Sequence, residues 1–130
     1  ETYGFVGEVS HITNQTLVAL LDQGKIPLIP SFGYSEQSDL LNINADYLAR
    51  AVAISLGAKK LILMTDVKGV LENRKVLEHL NLVDVQKKID SGVITGGMIP
   101  KIQSAVQTVE SGVEQVIIGD NLTDGTIIKE

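Results

Sequence analysis

Two short, uninterrupted apolar runs constrain the fold of this chain more than any other feature. They are residues 60–64, Lys-Leu-Ile-Leu-Met, and residues 115–118, Gln-Val-Ile-Ile. Runs of this length without polar alternation are typical of strands that are buried on both faces, as in a parallel sheet. Helical patterns lie between the strands, so right-handed crossovers are expected. The chain is therefore predicted to be an α/β protein, a three-layer αβα sandwich around a mostly parallel, open sheet.

Apolar residues at helical spacing mark the predicted helices. After Asn44 they recur on one face as far as Leu56, and Gly57 is the expected end of that helix. Asn44 is predicted to be the N-cap, with Asp46 in the first turn, where negative charge suits the helix dipole. The other predicted helices are residues 15–23 with Asn14 as N-cap, residues 82–90 and residues 100–111. Residues 26–30 and 126–128 are predicted to be further strands.

Composition narrows the classes of function. The 130 residues are about the size of one ordinary domain, and residues 1–130 are predicted to form a single domain. A formal charge of −5 without a long basic run argues against a nucleic-acid partner. No apolar run approaches the ~20 residues of a membrane span, so no membrane partner is expected and the predicted location is cytoplasmic. Cysteine is absent, and His11 and His79 have no partner at ligand spacing, so no metal-ligating residue is predicted.

Three polar stretches lie where predicted strands and helices meet. They are residues 42–46 (Asn-Ile-Asn-Ala-Asp), 65–69 (Thr-Asp-Val-Lys-Gly) and 96–101 (Gly-Gly-Met-Ile-Pro-Lys). Ligands of open α/β sheets bind at the carboxyl ends of the strands, so we expect these stretches to meet at one edge. Each also has a purely structural explanation: a helix cap, a strand-end turn, and a solvated lysine after a flexible loop. That explanation is preferred for the first stretch alone, and the second alone is a weak signal.

The third stretch favours a function. Pro100 suits the first position of a helix, which places Lys101 in the first turn, where a cation opposes the helix dipole by roughly 0.3–1 kcal/mol. A residue that breaks the local rule indicates a site. Gly96 and Gly97 let the backbone approach a ligand closely, and free N–H groups at a helix start attract phosphate. The stretch nevertheless belongs to no P-loop motif.

Taken together, these stretches resemble the amino-acid kinase family, and the resemblance covers nearly the whole chain. The Thr-Asp-Val turn is shared across the wider family. Two motifs together resemble the acetylglutamate kinase branch of the family in particular. They are Asn-x-Asn-Ala-Asp and Gly-Gly-Met-Ile-Pro-Lys. The matching residues are 4–9, 42–46, 63–71 and 96–101. The resemblance implies the C-terminal half of the amino-acid kinase fold, which holds ATP.

The resemblance also implies roles for individual residues. Asn42 and Asn44 would bind acetylglutamate. Asp46 would orient the catalytic lysines through charge-assisted hydrogen bonds, and Lys101 would stabilise charge on the transferring phosphoryl group. The reaction would be transfer of the γ-phosphoryl group of ATP, bound with Mg²⁺, to the γ-carboxylate of N-acetyl-L-glutamate in arginine biosynthesis. The nucleotide pocket would be lined by Thr65, Asp66, Val67, Lys68, Gly69, Val70, Leu71, Val93, Ile94, Thr95, Gly97 and Met98.

Parts of the family pattern are missing from this sequence. The family's Lys-x-Gly-Gly phosphate loop, Gly-Gly substrate loop and substrate-binding Arg do not occur. The chain therefore resembles only the nucleotide-binding half, with the N-terminal half absent, and we expect it to be inactive alone. The complete enzyme is expected to be a homo-oligomer. Two alternatives stay open: another amino-acid kinase, such as an acetylaminoadipate, aspartate or uridylate kinase, or a non-catalytic nucleotide-binding regulatory module.

Overall fold

The computed structural model describes residues 5–130, which divide into two compact units. The first unit ends at Leu56, and the second spans Gly57–Glu130. Both units combine helices with strands, so the prediction of an α/β protein is confirmed. The single domain expected for residues 1–130 stays a prediction. Gly4, which begins the first family-like stretch, lies outside the described residues.

The first unit contains two helices and a small antiparallel hairpin. In the hairpin, Phe32 pairs with Asn42 and Tyr34 pairs with Leu40. The hairpin turn is closed by the amide of Ser35, which donates to the carbonyl of Asp39 at 2.9 Å. The elements are α1 Gln15–Asp22, β1 Phe32–Tyr34, β2 Leu40–Asn42 and α2 Ala45–Ser55. Both predicted helices of this unit are therefore present.

The predicted cap of α1 is wrong. Asn14 makes no side-chain capping hydrogen bond, and its backbone is helical, with φ −88° and ψ −7°. Its Nδ2 instead donates to the carbonyl oxygen of Ser55 at 2.8 Å. The last carbonyls of a helix have no partner within the helix, so the end of α2 offers Asn14 an acceptor. Asn14 thus ties the start of α1 to the end of α2.

The strand predicted at residues 26–30 is also wrong. These residues have no strand assignment, and Ile26 and Leu28 are 89% and 94% exposed. Pro27 and Pro30 have no N–H to donate to a neighbouring strand. An apolar run forms a strand only where another strand pairs with it, and no such pairing involves this run among residues 5–130.

The second unit is built on a four-stranded sheet. Its elements are β3 Lys60–Met64, β4 Leu71–Glu72, β5 Lys75–Val76, β6 His79–Asn81, α3 Leu82–Asp90, α4 Met98–Glu110, β7 Gln115–Gly119 and β8 Thr126–Lys129. The strand order is β3-β7-β8-β6, and β4 and β5 form a separate two-stranded hairpin. The β3–β7 and β6–β8 pairs are parallel, whereas β7 and β8 are antiparallel. The predicted mostly parallel sheet is thus confirmed, and so are the predicted strands β3, β7 and β8.

A close approach of two glycines allows the antiparallel step from β7 to β8. A Cβ on Gly119 would lie 2.4 Å from the carbonyl oxygen of Asp124, and one on Gly125 would lie 2.3 Å from that of Ile118. Gly125 also has φ +154°, which L side chains rarely adopt. The chain can therefore reverse at the carboxyl end of β7 and bring its next residues back to that edge.

The core of the second unit lies between the sheet and two helices. Helix α4 packs on β7 and β8, α3 packs on β6, and the two helices contact each other. Ile102 and Ala105 of α4 and Val116 and Ile118 of β7 are completely buried. The third layer of the predicted sandwich stays a prediction. No helix within residues 5–130 is long and apolar enough to span a membrane.

Candidate functional site

The first unit holds the backbone of Asn42 from two sides. Its amide donates to the carbonyl of Phe5 at 2.8 Å, and its carbonyl accepts from the amide of Gly7 at 2.9 Å. Phe32 pairs with it on the opposite side. Gly7 leaves room for the side chain of Leu41, since a Cβ there would lie 2.7 Å from Leu41 Cδ1 and 3.0 Å from Leu41 Cβ. The exposed side chain of Asn42 is therefore presented from a well-anchored position.

Asn44 is the N-cap of α2, as predicted. Its Oδ1 accepts hydrogen bonds from the amides of Asp46 at 3.0 Å and Tyr47 at 3.2 Å. Its backbone, with φ −59° and ψ 127°, is outside the helix. Asp46 is the acidic residue of the first turn and is half-buried. The cap uses the amide oxygen of Asn44. The predicted binding of a carboxylate by Asn44 would therefore require a hydrogen bond donated by its amide nitrogen.

In the second unit, residues 65–71 form a loop that is fixed at both ends. The amide of Thr65 donates to the carbonyl of Gly119 at 2.9 Å, and the amide of Val70 donates to Thr126 Oγ1 at 2.8 Å. Gly69 has φ +138°, and a Cβ there would lie 2.8 Å from Thr126 Oγ1. Between the anchors, Gly69 is buried, whereas Asp66, Val67 and Lys68 are exposed. The loop crosses the end of β7 and presents these three residues in a defined conformation.

The second predicted nucleotide segment, residues 93–95, follows the end of α3. The amides of Val93 and Ile94 both donate to the carbonyl of Lys88 at 3.0 Å. Ile94 is 1% exposed, which fixes the segment in the core, and Thr95 is exposed. The segment is thus anchored by α3 on one side and by its own buried side chain on the other.

The start of α4 differs from the prediction. The helix begins at Met98 rather than at Pro100, so Lys101 is its fourth residue and is half-buried. The amides of Met98 and Ile99 already donate to the carbonyls of Thr95 and Gly96, both at 3.2 Å, and Pro100 has no N–H. The expectation of free amides at these positions is therefore wrong.

The structure connects two parts of the predicted site, residues 65–71 and residues 93–95. Lys88 Nζ lies 2.5 Å from Glu72 Oε1, so α3 is tied to the hairpin that directly follows residues 65–71. This contact brings the two predicted nucleotide segments into one part of the second unit. Asn42, Asn44 and Asp46 belong to the first unit. Their meeting with Lys101 stays a prediction.

A cavity at the β7–β8 end of the sheet was not anticipated from the sequence. Its volume is about 430 Å³, and Lys68, Glu78, His79, Asp120 and Asp124 are among its lining residues. Asp120 directly follows the buried strand β7, which is the same signal that drew attention to Asp66 after β3. Among residues 5–130, no three His, Asp or Glu side chains are placed to hold a metal ion together.

The chain is similar to one protein family and to several curated proteins. The model of the family described as "Amino acid kinase family" matches residues 1–120. Acetylglutamate kinase of Streptococcus mutans is 59% identical over 128 residues, which are 98% of this chain and 52% of that protein. The chain thus spans about half the length of the curated relatives it matches.

Two solved structures are similar over almost all of the chain. The crystal structure of smu.665 from Streptococcus mutans UA159 matches with a TM-score of 0.88 and 59% identity, covering 98% of this chain and 52% of that one. N-acetylglutamate synthase from Neisseria gonorrhoeae, solved with coenzyme A and L-arginine, matches with a TM-score of 0.85 and 26% identity. That match covers 96% of this chain and 32% of the synthase chain.

Proposed function

The chain belongs to the amino acid kinase family, and we propose that it is the nucleotide-binding portion of an acetylglutamate kinase. The reaction of the complete enzyme is transfer of the γ-phosphoryl group of ATP to the γ-carboxylate of N-acetyl-L-glutamate, a step of arginine biosynthesis. The observation that carries this proposal is the 59% identity to a named acetylglutamate kinase over 98% of the chain. Mg²⁺ enters the site as part of the Mg–ATP substrate.

In this proposal the nucleotide is bound by the second unit. One side of its site is residues 65–71, whose anchors on Gly119 and Thr126 support a loop of fixed shape. The other side is residues 93–95, together with Gly97 and Met98 at the start of α4. Loops fixed before the ligand arrives lose little conformational entropy on binding. The observed anchoring therefore supports nucleotide binding by the second unit.

Lys101 is proposed to stabilise the negative charge on the phosphoryl group during its transfer. Phosphoryl transfer needs little covalent participation by the protein and depends on positioning and on neutralisation of charge. Lys101 is the fourth residue of α4 and is half-buried. Asp46 is proposed to orient the lysines, and Asn42 and Asn44 to bind acetylglutamate in the complete enzyme.

The direct test is a calorimetric titration of the chain with Mg–ADP. We expect the wild-type chain to bind, and Lys101→Met to bind more weakly, because the phosphates lose a cationic partner. Lys87→Met is the matched control, since Lys87 is exposed on α3 and has no assigned role. Equal affinity of all three proteins would contradict the role of Lys101, and no binding by the wild-type chain would contradict the proposed function.

Turnover provides the second test. We expect no steady ADP release by this chain with Mg–ATP and acetylglutamate, because the family's phosphate loop and substrate Arg do not occur in its sequence. In the complete enzyme, Lys101→Met should lower kcat far more than it raises the KM for acetylglutamate.

Turnover with acetylaminoadipate, aspartate or uridylate as the alternative acceptor distinguishes between the branches of the family. Gel filtration tests the proposed homo-oligomer, and cell fractionation tests the proposed cytoplasmic location.

A regulatory module is the second candidate, and one observation favours it. The structural match to a synthase at 26% identity indicates that this fold also occurs in a protein that is not named a kinase. A chain with this role would bind a nucleotide or another small molecule without transferring phosphate. Binding of Mg–ADP by the complete protein, combined with no transfer to any of the acceptors above, would favour this candidate.

A further inference from the structure

We propose that the ion pair between Lys88 and Glu72 fixes the two nucleotide-binding segments in position relative to each other. The proposal rests on the proposed function of these segments and assigns them a coupling that the family resemblance does not imply. Neither residue belongs to the predicted site. Glu72 directly follows Leu71 in β4, and Lys88 is in α3, five positions before Val93.

The geometry of the pair is that of a direct contact. Lys88 Nζ and Glu72 Oε1 are 2.5 Å apart, and the two side chains are only 24% and 32% exposed. An ion pair that is partly shielded from water is less weakened by salt than a fully exposed pair. Lys88 is also in the last turn of α3, where a cation is favoured by the helix dipole. The contact is thus well placed to persist in solution.

Lys88 acts on both segments at once. Its side chain contacts Glu72, which follows residues 65–71 directly. Its backbone carbonyl accepts hydrogen bonds from Val93 and Ile94, both at 3.0 Å. A displacement of Lys88 therefore moves one segment through the ion pair and the other through these two hydrogen bonds. This double attachment is the observation that distinguishes Lys88 from the neighbouring Lys87.

The β4–β5 hairpin is short. It contains two residue pairs, Leu71 with Val76 and Glu72 with Lys75. An isolated hairpin of this size is marginal in water. At its base, the amide of Val70 is held by Thr126 Oγ1. The contact between Lys88 and Glu72 adds an anchor on α3 at the first strand of the hairpin.

The experiment measures Mg–ADP affinity of the whole chain well below its melting temperature. We expect Lys88→Met and Glu72→Gln each to weaken binding by about twofold to fivefold, the range for partly exposed ion pairs. The double variant should be no weaker than either single variant, because both changes remove the same contact. Lys88→Arg keeps the ion pair and should restore affinity, and Lys87→Met should leave it unchanged.

Amide hydrogen exchange separates positioning from general stabilisation. We expect Glu72→Gln to accelerate exchange of the amides of Val93 and Ile94. These amides are on the other segment and donate to the carbonyl of Lys88, not to Glu72. Lower melting temperatures with unchanged affinity and unchanged exchange at these amides would overturn the proposal. If the wild-type chain fails to bind Mg–ADP, the proposed function fails and this inference fails with it. If the wild-type chain binds and the variants bind equally well, only the inference fails.

Discussion

The two units of this chain differ in how completely they bury their apolar residues. In the first unit, Ile43, Leu48 and Ala53 are the buried apolar side chains among the described residues, and α1 contributes none. The other buried apolar side chains, from Leu63 to Ile128, belong to the second unit. The second unit therefore has a closed core between a sheet and two helices, whereas the core of the first unit is small.

The exposed side chains show the same difference from the outside. In the first unit, Phe5, Ile26, Leu28 and Tyr34 are each at least 70% exposed. Among residues 57–130, Val83 is the one large apolar side chain exposed to that extent. The second unit is therefore the more self-contained of the two.

Separation of the units should have the largest effect. We expect residues 57–130 alone to unfold in one cooperative thermal transition, because their core is complete. Residues 1–56 alone should show no cooperative transition, because a unit with few buried apolar side chains cannot offset the entropy of folding. Circular dichroism melts of the two fragments provide the measurement. A sigmoidal melt of the shorter fragment would show that the comparison is wrong.

A cavity in the core of the second unit should have the next largest effect. Ile118 is completely buried in β7, and Ile118→Ala should lower the free energy of unfolding by about 2–5 kcal/mol. Leu122→Ala is the control, because Leu122 is 68% exposed between β7 and β8; it should change stability by no more than about 0.5 kcal/mol. Urea titrations measure both. Similar losses for the two variants would mean that burial does not define this core.

Loss of the cap of α2 should have a moderate effect that stays within the first unit. Asn44→Ala removes the acceptor of the amides of Asp46 and Tyr47 and should cost about 1 kcal/mol. Asn44→Asp keeps an oxygen acceptor and should restore the loss. Hydrogen exchange at the two amides is the measurement. Slow exchange in the alanine variant would indicate that the cap does not hold the start of the helix.

Removal of an exposed apolar side chain should have the smallest effect on stability. Leu28 is 94% exposed, so Leu28→Ser should leave the melting temperature nearly unchanged. It should, however, reduce self-association in light scattering, since the exposed apolar surface becomes smaller. Leu48→Ser, in the small core of the first unit, should instead lower stability. A large loss on Leu28→Ser would show that this side chain is packed in solution.

The sequence was sufficient for elements that are determined by local interactions. Four helices, the strands β3 and β7 and the capping role of Asn44 could be predicted, because periodicity and capping depend on neighbours in the chain. The mostly parallel sheet also followed from the two apolar runs. The short strand β6 escaped prediction, because residues 79–81 carry no strand pattern without their partner β8.

The errors arise where the hydrogen-bond partner of a residue cannot be deduced from the local sequence pattern. Asn14 bonds to Ser55 instead of capping its own helix. Residues 26–30 look like a strand but have no pairing strand within the described residues. The amides at the start of α4 are satisfied by Thr95 and Gly96, which a rule based on Pro100 alone does not include. Of the predicted site, the roles of Lys101, Asp46 and Asn42 depend on contacts with ligands and stay predictions.

The pairing of β7 on its two sides has a consequence for the order of folding. With β8 it pairs across a short turn, whereas its pairing with β3 joins Lys60 to Gln115. The entropy lost on closing a loop grows with the length of the loop, and contacts between distant residues slow folding. The β7–β8 pair should therefore form before β3 docks. The loop at residues 65–71, whose anchors Gly119 and Thr126 lie on β7 and β8, would then be ordered last. If this loop binds the nucleotide as proposed, the nucleotide should act chiefly by slowing the first step of unfolding.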